Sequence, residues 1–547
     1  MVDSSSTEKH HGEGGVKETV EAILVAFILA FIFRAFVVEA FVIPTGSMAP
    51  TLYGAHMRLT CPDCGYTFDV NYSIPGGSED EDAPVPSDAP MHNFHCPNCG
   101  YQFSSDGTQP VRFGDRILVL KYLYLFQPPT RWDVVVFKSP SEPGDPANPN
   151  YSMNFIKRLV GLPNESIVIL DGDIYRGPYN ADENTPQLWQ IQRKPKYAQD
   201  ALWRTVFDND YLPNANGRTP IDRGSAPSFR EPWRADNPGG GWDIGSPDRG
   251  ARTFQFSNLT GQSAIHFDAG VQGDLHRLTD YMPYDEFIQQ PEQMMPVSDL
   301  KLSVFYHLTQ AATDGEMNLM LTKNQDCFTA RLTPSGVELW QGKVASTDPF
   351  VISNNHRIKG PVAVDWRSPN GGTQVVFSNV DRCATIRVGG KDLIEYKYDP
   401  TPQEITRLFA EAGRDGTPPV VRISAAKEDC TLDHIALSRD VYYLNHGPGM
   451  LHGIPGGIAH LGPGEYFVCG DNSPNSFDAR YWGPQSKLNW DGNVDLIRGE
   501  NLWVESGRVP ERFMLGKAFF VYWPAGYRPM GIPLGIVPDF GEMRFIH

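Results

Sequence analysis

Between Val20 and Val38 the chain reads VEAILVAFILAFIFRAFVV, an apolar run interrupted near its end by Arg34. Its uncharged part, Ala22 to Phe33, is shorter than the roughly 18 to 20 residues needed to cross a bilayer. An arginine near a helix end can reach the headgroups, however, while the apolar residues after it stay in lipid. The pattern predicts a retained single-span anchor over 20–38 behind a short tail at 1–19. The rival reading, a cleaved leader, calls for a small-x-small cleavage site, and VEAFVIP offers no clean one. Acidic and basic residues are mixed before position 20, so charge alone leaves the orientation open.

Past the anchor the period of the pattern falls to two. DRILVLKYLY (115–124), WDVVVFK (132–138), NFIKRLVGLP (154–163) and ESIVILDGDIYRGP (165–178) all read as strands. Residues 211–250 are loop-like, rich in Gly, Pro, Asp and Arg. Alternation then resumes in KLSVFYHL (301–308) and MNLMLT (317–322), and in FTARL, GVELW, TQVVF, ATIRVGGKDLIEYKY and VVRISA. Leu302, Val304, Tyr306 and Leu308 share one face, and Gly389-Gly390 suits a tight hairpin. LGPGEYFVCGDNSPNSFDARYWGP (461–484) and MLGKAFFVYWP (514–524) return to the texture of the strands before residue 180. The reading is a mainly β protein: one β core over 39–54, 113–180 and 441–547, interrupted by modules at 55–112 and 190–440. The second module reads as a β-sandwich. Its closing LDHIALSRDVYY resembles the last strands of concanavalin-like sandwich domains, which implies a carbohydrate or other ligand by fold analogy alone.

A length of 547 residues fits two or three domains. A formal net charge of −18 argues against a nucleic-acid surface, which needs clustered Lys and Arg. Eight cysteines are too few for a disulfide scaffold of this size, yet four form two tight pairs. CPDCGYTF (61–68) and HCPNCGYQF (95–103) are near copies, so Cys61, Cys64, Cys96 and Cys99 can present four thiolates in a tetrahedron. A structural zinc ribbon is the favoured reading, with Gly65 and Gly100 freeing the turns. Two disulfides are the alternative. Cys327, Cys383, Cys430 and Cys469 read as isolated buried thiols, with a disulfide among them left open.

FVIPTGSMAPTL places Ser47 in an extended segment just after the anchor. A serine needs a base, and His92 and His95 belong to the ribbon region. A lysine can serve if burial in apolar surroundings lowers its pKa. Lys121, Lys138 and Lys157 all lie in apolar strands. Lys157 lies between Phe155 and Leu159, Lys121 between Val119 and Leu123, and the pattern alone does not choose.

IPTGSMAPTL, GDRILVLK, WDVVVFK, FIKRLVGLP, GDNSPNSFDARYWG and GKAFFVYWP stand in the order in which bacterial type I signal peptidases carry such motifs. The chain resembles that family over roughly 18–60, 113–180 and 441–530. The resemblance implies that Ser47 is the nucleophile and Lys157 the general base. Thr45, where serine is more usual, would complete an oxyanion hole with the Ser47 N–H, and Ser476 would orient the lysine. Asp478 and Arg480, with Asp471 close by, would brace the site. Phe41, Ile43, Pro44, Val136 and Ile156 would line shallow pockets for small side chains. It further implies a single-pass inner-membrane protein with its catalytic domain outside the cytoplasm. Its partners would be preprotein signal peptides and the bilayer, and its chemistry would need no cofactor, leaving zinc a structural part. GLPNES stands where the family has Gly-Leu-Pro-Gly-Asp, and RWD where it has Arg-Gly-Asp. The alternatives are an anchored binding protein that uses the sandwich on an inert scaffold, and a self-cleaving serine–lysine regulator. The latter usually carries a DNA-binding head, and here an anchor and an acidic chain stand in its place.

Overall fold

A computed structural model of the chain describes residues 14–72, 85–92, 94–138, 154–213, 229–271, 278–285, 294–345, 348, 350–366, 372–412, 416–445, 457–482, 507–526 and 538–546. One helix, Gly14–Phe36, covers most of the segment read as an anchor. Its apolar side chains Val20, Ile23, Leu24, Val25, Phe27, Ile28 and Leu29 are exposed. Among the described residues no helix is long and apolar enough to cross a membrane. The side chains of residues 30–33, 35 and 36 lie outside that description.

An antiparallel sheet holds the core motifs together although they are far apart in sequence. Its order is Val38–Val42, Arg116–Leu120, Met514–Trp523, Val134–Lys138, Asn154–Gly161, Glu465–Cys469 and Val509–Pro510. The segment DRILVLKYLY is a strand only to Leu120, and Leu123–Phe126 turn into a short helix. Residues 165–178 form the expected hairpin, Glu165–Leu170 against Asp173–Pro178. Asp171 and Gly172 at its tip have φ of 51° and 79°, as a tight turn between twisted strands requires. The two departures from the family pattern fall at left-handed backbone: Asn164 of GLPNES has φ 65° and Trp132 of RWD has φ 77°. Asparagine tolerates that region, whereas a bulky tryptophan is strained there. Buried packing and two backbone bonds hold it, Trp132 N–H donating to Leu159 O at 2.7 Å and Arg158 Nη1 to Trp132 O at 2.8 Å.

Both modules leave and rejoin the core at adjacent points. Asp115 N–H donates to Tyr53 O at 2.8 Å and Tyr53 N–H to Asp115 Oδ2 at 3.0 Å, so residues 55–112 loop out between neighbours. A four-stranded sheet is formed within them. The second module opens and closes on paired strands, Arg204–Asp208 against the end of Val421–Arg439. Residues 190–202 stay with the core: Gln190–Ile191 pairs with Tyr175 and Arg176, and helix Lys196–Leu202 buries Ala198 and Leu202 there.

The segments 301–308 and 317–322, read separately, are one strand, Leu300–Lys323. It stays continuous because its long neighbour Val421–Arg439 follows it past irregularities between Leu308 and Gln310 and between Ala311 and Glu316. Gly389 and Gly390 form the expected hairpin turn, with φ of 55° and 79°. Buried residues of 55–111 and of 206–437 share one apolar core. The two stretches are also joined by Asn98, whose Nδ2 donates to Tyr211 O at 2.6 Å and whose Oδ1 accepts from Asp208 N–H at 2.8 Å.

Candidate active site

The strand Val38–Val42 delivers the chain to Pro44, and Thr45 is still extended at φ −116° and ψ 161°. Gly46–Met48 then make a single 3-10 turn closed by Ala49 N–H donating to Gly46 O at 3.0 Å. Too short to hold its own shape, the turn is fixed from outside. Asn472 N–H donates to Ser47 O at 3.1 Å, and Asn472 Nδ2 donates to Gly46 O at 3.0 Å.

Lys157 comes from the interior strand Asn154–Gly161, paired with Val135 on one side of the sheet. Its Nζ lies 2.7 Å from Ser47 Oγ and 5.5 Å from the centre of the Phe155 ring. Ser47 is 8% exposed and Lys157 3%. Lys121 is elsewhere: its Nζ pairs with Glu39 Oε2 at 3.1 Å, and the two side chains are 30% and 32% exposed. Geometry therefore separates two lysines that the alternation pattern left equal. Thr45 Oγ1 lies 3.5 Å from Ser47 Oγ, which brings the two hydroxyls side by side.

Asp478 and Arg480 are fully buried and bond to each other, Nε to Oδ1 at 2.8 Å and Nη2 to Oδ2 at 2.6 Å. Burial drives the Asp478 carboxyl up, but the Arg480 guanidinium and its hydrogen bonds outweigh that and hold it below the usual carboxylate range. The pair braces the loop rather than decorating the surface. Asp478 Oδ2 accepts from Gly470 N–H at 2.8 Å, and Arg480 Nη1 donates to Ser473 Oγ at 2.7 Å. Asp471 takes a second buried arginine: Arg158 Nε and Nη2 reach its two oxygens at 2.7 and 2.8 Å.

Ser476 is buried, with its Oγ close to Gly470 and beside the Asp478 carboxylate, which it helps to hold below the usual range. Sequence reasoning passed over Arg158, Asn472 and Gly470. A charged residue next to Lys157 in an apolar strand was the available signal for Arg158, since a buried guanidinium demands an acceptor. Gly470 is needed for space: a Cβ there would lie 2.1 Å from Ser476 Oγ and 2.5 Å from Ser47 O. Gly470→Ala is expected to push the Ser47 turn off Lys157 and to lower kcat by about 100-fold, the usual cost of a displacement near 1 Å. A steady-state comparison with wild type checks this.

Phe41, Ile43 and Val136 are buried in one cluster with Met48 and Leu52, and Ile156 is half-buried against it. Val136 pairs directly with Ile156 across the sheet. Pro44 is half-buried at the start of the turn.

No disulfide joins any of the eight cysteines. The sulfurs of Cys61, Cys64, Cys96 and Cys99 lie within 4.8 Å of one another and all four residues are buried. The Cys61–Cys99 and Cys64–Cys96 sulfur separations are both 3.6 Å. That is far from a disulfide bond of about 2.0 Å and close to the roughly 3.8 Å edge of a tetrahedron with zinc–sulfur bonds of about 2.3 Å. The two knuckles are built alike: Gly65 N–H donates to Cys61 O and Gly100 N–H to Cys96 O, both at 2.9 Å. The donor set fits structural zinc. Metal analysis of purified protein is expected to give one zinc per chain, lost in Cys61→Ser, and chelation is expected to lower the melting temperature.

The family profile described as "Signal peptidase, peptidase S26" matches residues 16–69, 101–214 and 451–523. The chain is similar to signal peptidase I. A protein of that name from Leptolyngbya laminosa is 37% identical over 83 residues, 15% of this chain and 38% of the relative. One from Rickettsia typhi (strain ATCC VR-144 / Wilmington) is 26% identical over 274 residues, 50% of this chain and 77% of the relative. These likenesses support a serine-type signal peptidase. Among solved structures, a carbohydrate-binding module of Bacillus subtilis covers 38% of this chain and 94% of its own at 11% identity and a TM-score of 0.23, which carries no argument about the sandwich.

Proposed function

We propose that the protein is a membrane-anchored serine endopeptidase that removes signal peptides from exported preproteins, cutting after small residues at −1 and −3. The observation that carries this reading is the separation of 2.7 Å between Lys157 Nζ and Ser47 Oγ, both buried and 110 positions apart in sequence. With its amine neutral, Lys157 takes the hydroxyl proton as Ser47 Oγ attacks the scissile carbonyl. The Ser47 N–H and the Thr45 hydroxyl bind the developing oxyanion. The protonated lysine then returns its proton to the leaving amine, and a water deprotonated by the same lysine releases the acyl group.

The apolar cluster of Phe41, Ile43, Val136 and Ile156 is the surface for the small side chains of the substrate. Helix Gly14–Phe36, directly before the nucleophile strand, is the anchor that keeps the site near the bilayer face where preproteins emerge. The catalytic domain then lies on the extracytoplasmic side, and the Cys61, Cys64, Cys96 and Cys99 zinc ribbon is structural. Replacing the −1 alanine of a preprotein substrate with isoleucine is expected to abolish cleavage, because a branched side chain overfills a shallow pocket. Equal cleavage of both substrates would overturn the specificity.

A further inference from the structure

The sandwich insertion reaches into the neighbourhood of Ser47, and it does so with residues that no motif marks. Segment Tyr281–Asp285 packs against the nucleophile turn. Met282 and Tyr284 form one apolar cluster with Ala49. A Cβ on Gly46 would lie 2.4 Å from Tyr284 Cε1, so the ring rests directly on the backbone beside the nucleophile. Arg204, on the module's first strand, donates from Nη2 to Ala49 O at 3.1 Å.

Asp285 is the polar end of this contact and is fully buried. Its Oδ1 accepts from Asn475 Nδ2 at 3.0 Å and from Asn71 Nδ2 at 3.3 Å. Asn71 ends a ribbon strand, while Asn475 belongs to the loop between Asp471 and Asp478. That loop also carries Asn472, which grips the carbonyls of Ser47 and Gly46. Asn475 N–H donates to Asn472 O at 3.0 Å, linking the residue Asp285 holds to the residue that holds the turn. Burial pushes the Asp285 carboxyl up to about 6, with Asn472, Asn475 and Asn71 pulling it back.

We propose that Asp285 is a positioning residue for the nucleophile: it ties the sandwich and the ribbon to the Asn472–Asn475 loop, and that loop sets the Ser47 turn against Lys157. This rests on the Ser47–Lys157 reading given above. It also gives the sandwich a part in completing the active site. Removing the carboxylate frees the loop without touching substrate, so the loss falls on kcat.

The test is steady-state cleavage of a purified preprotein by the full-length protein in detergent, with wild type, Ser47→Ala, Asp285→Ala and Asp285→Asn side by side. Asp285→Ala is expected to lower kcat by about 10- to 100-fold with KM within about threefold of wild type. Asp285→Asn is expected to recover to within about threefold of wild type, because both bonds arrive at one oxygen that an amide also offers. Melting temperatures of the variants are measured alongside. If Asp285→Ala does not fold, Asn475→Ala, on the half-buried side of the same bond, is expected to give the same kcat-selective loss. A kcat for Asp285→Ala within twofold of wild type would overturn the proposal. So would an Asp285→Asn no better than Asp285→Ala at equal melting temperatures. A wild type no faster than Ser47→Ala would remove the catalytic reading itself, and the proposal with it.

Discussion

Replacing Lys157 with methionine is expected to reduce kcat for preprotein cleavage by about 10⁴-fold or more, with little change in KM. Methionine keeps the length and apolar packing of the lysine stem beside Phe155 but has no atom to accept the proton of Ser47, 2.7 Å away. Removal of one member of a nucleophile–base pair leaves only binding and oxyanion stabilisation, which is why single losses are so large. Lys121→Met is the internal comparison. Lys121 pairs with Glu39 at 3.1 Å near the surface, so its loss is expected to cost under about 1 kcal/mol of stability and no measurable kcat. Single-turnover assays of both variants check the pair. A large loss in Lys121→Met with an active Lys157→Met would reverse the assignment of the base.

The second large effect is on stability. Arg158→Met is expected to destabilise the catalytic sheet by about 3–5 kcal/mol, read as a lower thermal midpoint and earlier denaturant unfolding. Arg158 and Asp471 are both fully buried and joined by two bonds at 2.7 and 2.8 Å. Deleting the arginine alone leaves an ionised carboxylate in the interior without its counter-charge, and that desolvation cost is the source of the loss. The double variant Arg158→Met with Asp471→Leu removes both charges and is expected to be more stable than Arg158→Met alone. A double variant less stable than the single one would show that the pair matters through some other contact.

The sequence carried much of the catalytic core because its motifs are contiguous and strand-borne. Phe41, Ile43, Pro44, Thr45 and Ser47 sit on one short segment, and Lys157 lies at the middle of an interior strand. Alternation could not separate Lys157 from Lys121, because the difference is one of position in the sheet. The strand Arg116–Leu120 ends before Lys121, whereas Asn154–Gly161 extends past Lys157 on both sides. The segments 301–308 and 317–322 were read separately, yet TQAATDGE between them is part of Leu300–Lys323, because a long partner strand supplied the hydrogen bonds that local sequence did not demand. Arg158 and Asp285 were missed for separate reasons. The first announced itself only as a charge in an apolar strand, and the second is brought to the site by tertiary packing across some 240 positions that no local pattern encodes.

The most direct test of the central claim is incubation of a purified preprotein with full-length wild-type protein and with Ser47→Ala in detergent, followed by mass determination of both fragments. One cut is expected in the wild-type reaction, directly after a small residue preceded two places earlier by another, and intact substrate with Ser47→Ala. Intact substrate in both reactions, or the same cut in both, would contradict it.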